Sequence, residues 1–368
     1  MKIRRWNKKM KMMLLSTLIL LLLVACGNGG NQPASGGGES SSADGNTSSG
    51  KQEVINLTIS SFMPGQHPQH TLLFEPLIQE IEKVTEGRVT ATLYPGSALG
   101  AADAQYDLVV TGAADMAMSL HSYTPGRFPM TSVSELPFLG KNAVDGTRIL
   151  WQLYETFPEI FDNEHEGTKI GWLFKNDPAQ ILSAKKPIRS MEDLKGMKIR
   201  TPSPAASKVL EAYGAVPVSM SMNETYEAMQ RGVVDAAMAP ASVITNFQLA
   251  DVTKHILRGN FYTSSLFVVI HPDTWNKISP EDQQAIEQLI GKEMAMKAAE
   301  IYDMDGDLGW EAARQAGIDI YELSDEEVRE WRKPLEHIAE QWIEEMEQKG
   351  LPGRQIYEEA IKIRDQGE

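Results

Sequence analysis

From residue 53 onward the apolar positions switch repeatedly between a period of two and a period near 3.6. Val54 to Ser60 reads as a strand, and Thr71 to Glu86 as a helix whose face is Leu73, Leu77, Ile81 and Val84, stopped by Gly87. Val89 to Tyr94 is the next strand, Ala101 to Thr111 the next helix and Met116 to Leu120 a third strand. That order predicts a parallel sheet with helices on its faces. A second run begins with a strand at Lys169 to Phe174 and a short capped turn at Ser190-Met191-Glu192-Asp193. Met197 to Arg200 is then a strand, with Ser203 as N-cap and Pro204 as first residue of a helix ending at Gly214. Val216 to Met220, a helix boxed by Ser221 and Glu224 and stopped at Gly232, and a strand at Val234 to Ala239 complete it. Two α/β runs in succession predict two lobes with a cleft between them.

Beyond these, a strand is expected at Ser265 to Ile270. Ser279-Pro280-Glu281-Asp282 starts a helix expected to reach about Ala316, followed by a strand at Ile318 to Glu322. Ser324 caps a helix to about Lys349, and Gly350-Leu351-Pro352-Gly353 precedes a last amphipathic segment. At the other end, six basic residues between Lys2 and Lys11 precede the apolar run Met12 to Val24, which is short for a bilayer span and reads as an export signal. Residues 27 to 50 are almost wholly Gly, Ser, Asn, Ala, Asp and Thr, and read as a flexible tether.

Composition, 42% hydrophobic and 23% charged, is that of a globular protein, and 368 residues suffice for two cores. Removing the signal leaves 29 basic against 50 acidic residues, a net charge of −21. Such a surface repels nucleic acid and anionic headgroups. Capture of an anion therefore requires a local cation in a shielded cleft. Arg200, at a strand end beside a helix start, stands where open α/β sheets bind ligands, and its planar fork suits a carboxylate. A surface arginine in an ion pair is the competing reading of that position.

Several segments resemble, in order and spacing, the TRAP-type solute-binding proteins, extracytoplasmic receptors of tripartite ATP-independent transporters. They are Gly87-Arg88-Val89, Tyr94-Pro95-Gly96, Gly112 to Met116, Glu135-Leu136-Pro137-Phe138-Leu139, Leu194-Lys195-Gly196-Met197-Lys198-Ile199-Arg200, Gly214 to Val218 and Gln230 to Asp235. The resemblance spans roughly residues 53 to 345 and implies a two-lobed, periplasmic-binding-protein-like α/β fold with a long helix spanning both lobes. It places residues 53–177 and about 265–304 in lobe I, and 178–264 and about 305–368 in lobe II. Leu23-Val24-Ala25-Cys26 matches the bacterial lipobox, which implies cleavage after residue 25, lipidation of Cys26, a tether over 26–52 and a place on the outer face of the cell membrane.

By the same resemblance Arg200 clamps a ligand carboxylate with Ser203 beside it, while Gln180, Met222, Ala239, Tyr123 and His67 are expected to face the ligand. Core packing is the alternative for Met222 and Tyr123, and turn shaping for His67. Some relatives carry a second arginine where Gln180 stands, and those that bind sialic acid tend to have asparagine in place of Ala239. One arginine rather than two implies a monocarboxylate, or a ligand whose second polar group is neutral, and argues against dicarboxylates and sialate. The expected partners are a small organic acid, integral-membrane transporter subunits and, through the lipid, the membrane.

No cofactor, metal site or enzymatic activity is expected. His67 and His70 lack further ligands nearby. Asp303, Asp305, Asp307 and Glu311 miss the EF-hand spacing and read as a solvated helix face. Gly96 to Gly100 lacks the first glycine of a nucleophile elbow, and no P-loop is present. Rival readings are a receptor for an ATP-driven importer, a tethered hydrolase and a sensory subunit.

Overall fold

The computed structural model describes residues 54–367; the expected signal, Cys26 and the tether lie outside them. Strands β1 (Ile55–Ser61), β2 (Val89–Tyr94), β3 (Met116–Leu120) and β4 (Lys169–Lys175) come first in the chain. They are followed by β5 (Ala179–Ser183), β6 (Lys198–Thr201), β7 (Val216–Ser219), β8 (Ala236–Pro240), β9 (His255–Arg258), β10 (Ser265–Ile270) and β11 (Asp319–Glu322). They form two sheets, ordered β2-β1-β3-β10-β4 and β11-β9-β5-β8-β6-β7. In the first, β2, β1 and β3 run parallel, as alternating strands and helices require, and β10 enters antiparallel between β3 and β4.

Because β10 belongs to the first sheet and β5 to the second, the chain crosses between sheets twice. The two crossovers run side by side: the Asn176 amide donates to Ser264 O at 3.2 Å and the Ala179 amide to Tyr262 O at 2.7 Å. A third crossing is the helix Lys292–Gln315, whose 24 residues extend about 36 Å. It packs on β4 and the helix Ala143–Thr156 of the first lobe and on the helix Val243–Asn246 of the second. Gly309 makes this approach possible, since a Cβ there would lie 2.1 Å from the Ala241 carbonyl oxygen. The closing helices return across the first lobe, where Arg148 donates to Ile363 O at 2.9 Å and Trp342 Nε1 to Ser132 Oγ at 2.8 Å.

Two long helices read from the sequence are each broken. The one starting at Pro280 ends at Glu287, and a second begins at Lys292. Between them Gly291 takes φ +85°, open to glycine at little cost, and its amide donates to Gly171 O. The helix capped by Ser324 stops at Arg332, because Pro334 has no N–H to continue the ladder, and resumes at Glu336. Strands β5 and β9 and the helix Ala143–Thr156, capped by Asn142, were not predicted.

Candidate ligand-binding cleft

Arg200 lies in β6, flanked by β7 and β8, and is 1% exposed. Nε donates to Met220 O at 3.1 Å, Nη1 to Met238 O at 3.3 Å and Nη2 to the Tyr123 hydroxyl at 3.0 Å. Three of five N–H groups are thus held by neutral acceptors, and no carboxylate pairs with Arg200 among the described residues. A buried guanidinium without a counter-ion is expensive, and neutral acceptors offset only part of that cost.

Arg200 opens onto a cavity where the two lobes meet. The first lobe contributes Phe62, Met63, His67 and Tyr123; the second contributes Met222, Met238 and Phe247; Tyr302 comes from the long helix. The walls are therefore aromatic and thioether, the kind that packs a flat apolar body. A larger hollow, between the His121–Pro129 segment and the helix Glu336–Gln348, has a charged rim that is already paired. There Lys208 lies 2.9 Å and Lys349 3.1 Å from Glu345.

Of the expected residues, Arg200, His67, Tyr123 and Met222 line the Arg200 cavity together. Ser203 sits behind it: its Oγ accepts the Ala206 amide at 3.0 Å as the predicted N-cap, while Pro202 forms the wall. Ala239 is turned into the core of the second lobe, because side chains alternate along β8 and its neighbours Met238 and Pro240 take the cavity face. Gln180 is elsewhere. Its Nε2 donates to Pro178 O (2.9 Å) and Asn260 Oδ1 (2.6 Å), and its Oε1 accepts the Gly259 and Asn260 amides, so it laces the crossovers together.

The acidic face read at Asp303 to Glu311 is only half solvated. Asp307 and Glu311 are exposed, but Asp303 accepts the Ala143 and Val144 amides at the start of their helix, and Asp305 is buried against Asn246. Beside them Asp177 accepts the Ser242 amide and hydroxyl, and burial lifts its carboxyl to about 7.

Residues not anticipated include Asn176, Phe247 and Tyr302. For Asn176 a signal existed, since a polar residue directly after a buried strand and before Asp-Pro marks a chain leaving its sheet. Phe247 and Tyr302 are placed by helix packing between distant segments, and no local pattern announces them.

The family described as Bacterial extracellular solute-binding protein, family 7 (DctP) matches residues 59–346. Among curated relatives, a solute-binding protein of Albidiferax ferrireducens is 30% identical over 262 residues, 69% of this chain and 75% of its own. The outer membrane transporter protein TsaT of Comamonas testosteroni is 27% identical over 305 residues, 81% of this chain and 88% of its own. Similar solved structures include a TRAP solute-binding protein of Rhodoferax ferrireducens in complex with copurified benzoate, at TM-score 0.81 and 25% identity, covering 85% of this chain and 98% of that one. Another, from Bordetella bronchiseptica with bound (R)- and (S)-mandelate, has TM-score 0.78 and 27% identity over 85% of this chain and all, 100%, of that one. With the match extending over most of its folded length, this chain belongs to the family 7 extracellular solute-binding proteins, the binding proteins of TRAP transporters rather than enzymes.

Proposed function

We propose that this protein is the extracytoplasmic receptor for an aromatic monocarboxylate, which it delivers to the integral-membrane subunits of a TRAP transporter. The observation that carries the reading is Arg200, buried without an anionic partner at the mouth of a cavity walled by Phe62, Tyr123, Phe247 and Tyr302. Its two uncommitted N–H groups supply a fork for one carboxylate, and the aromatic walls take the apolar body. Gln180, in place of a second arginine, is tied into the hinge, so a second carboxylate finds no cation there. The relatives holding benzoate and mandelate have the same ligand chemistry. Lipidation at Cys26 is part of the proposal and would hold the receptor at the membrane; Cys26→Ser should release it from pelleted membranes.

A thermal-shift screen tests the ligand. Benzoate or mandelate should raise the melting temperature of the purified protein by mass action, and succinate should not. Arg200→Ala should lose the response, with binding weakened at least about 100-fold. A response to succinate alone, or one that survives Arg200→Ala, rejects the reading.

A further inference from the structure

Beyond the arginine, the cavity holds two polar side chains that each have a donor to spare. Asn176, 7% exposed, directs its Oδ1 to the Ser264 amide at 2.7 Å, which commits the oxygen and leaves Nδ2 without an acceptor among the described residues. His67, 3% exposed, accepts the Gln69 amide on Nδ1 at 3.2 Å. That bond places the proton of the neutral ring on Nε2, for which there is again no acceptor. Both side chains line the Arg200 cavity. Burial and the neighbouring His70 hold the imidazole down to about 3, so its N–H is an uncharged donor at any physiological pH.

The other polar groups around the cavity do not answer these donors. The Tyr123 oxygen already accepts from Arg200 and from the Met222 amide, the Ser242 hydroxyl donates to Asp177, the Tyr262 and Ser264 hydroxyls bond each other, and among the described residues the Tyr302 hydroxyl contacts only Met63 Sδ, at 3.7 Å. Unfilled donors in a buried site penalise a ligand with nothing to offer them. A ligand ammonium would fare worse, meeting N–H groups where it needs acceptors.

We propose that Asn176 and His67 form a specificity subsite that donates to uncharged acceptor oxygens, so that the receptor selects hydroxy- or oxo-substituted aromatic monocarboxylates over unsubstituted ones and excludes the corresponding amino acids. This rests on the aromatic-monocarboxylate reading above.

Calorimetric Kd values for a matched set decide it: phenylacetate, mandelate, 3-hydroxyphenylacetate and phenylglycine against wild type, His67→Phe and Asn176→Leu, each variant first checked for folding by its ligand-free melt. At least one hydroxylated acid should bind wild type about tenfold or more tighter than phenylacetate, and phenylglycine should be the weakest. In one or both variants that preference should shrink to about twofold or less. Equal affinity for phenylacetate and both hydroxylated acids in wild type overturns the proposal, as does a preference that survives in the folded variants. If none of the four binds wild type, the parent reading fails as well; if phenylacetate binds without a preference, only the subsite does.

Discussion

The Tyr123 hydroxyl, from the first lobe, lies 3.0 Å from Nη2 of Arg200 and 2.9 Å from the amide nitrogen of Met222, both in the second. One oxygen therefore accepts from Arg200 and from the start of the helix Met222–Gln230. If Arg200 holds the ligand as proposed, the interlobe contact and the ligand contact share this residue. Nearby, Asn223 Nδ2 donates across the cleft to Phe62 O and Ser97 Oγ, at 3.2 and 3.1 Å. A ligand bound at Arg200, as proposed, would favour this interlobe arrangement only by its preference for it over any other.

Tyr123→Phe tests the shared atom. The ring and its wall remain, but two donors in a buried setting lose their acceptor, so ligand affinity should fall about tenfold or more, chiefly through faster release. Stopped-flow dissociation of benzoate or mandelate reads this directly. Release at the wild-type rate would mean that the hydroxyl has no part in holding the lobes together.

Gly309→Ala tests the hinge. A methyl group there meets the Ala241 carbonyl oxygen, which belongs to backbone and cannot swing aside, so the long helix must move away from the second lobe. Destabilisation of about 1–3 kcal/mol is expected, read as a lower denaturation midpoint. An unchanged midpoint would show that the helix has slack at this crossing.

Asp177 should make stability depend on pH with an unusual sign. Burial raises its native pKa from 3.8 to about 7, and Asp303 and Asp305 on the long helix add to the rise, whereas the Ser242 hydrogen bonds oppose it. Between those two values the native state holds a proton that the unfolded chain has released, so this residue's contribution to stability declines as pH rises from about 4 to 7 and is then constant. Asp177→Asn removes the titration. The difference in melting temperature, variant minus wild type, should therefore grow over that interval and level off above it. A difference independent of pH would contradict the assignment.

Much of this molecule was legible from local pattern. The capped start of the helix after Arg200, with Ser203 and Pro204, and the box of Ser221 and Glu224 were read correctly because capping is settled within four residues. The strands Val89–Tyr94, Met116–Leu120 and Ser265–Ile270 were likewise predicted at their observed limits. Arg200 itself could be singled out because a cation at a strand end, in a chain of −21 net charge after signal removal, is chemically conspicuous.

Tertiary structure alone decided what surrounds it. Gln180 and Ala239 are paired across β5 and β8, yet one is bound to the crossovers and the other is packed in the core, so neither reaches the cavity. Asp303 and Asp305 look solvated in sequence and become helix-capping and buried groups once the long helix meets its neighbours. Sequence determines which segments become strands and helices, since dihedral preference, capping and apolar period act over a few residues. The cleft instead brings together Phe62, Asn176, Arg200, Phe247 and Tyr302, and the bonds and contacts that orient them come from partners far away in the chain.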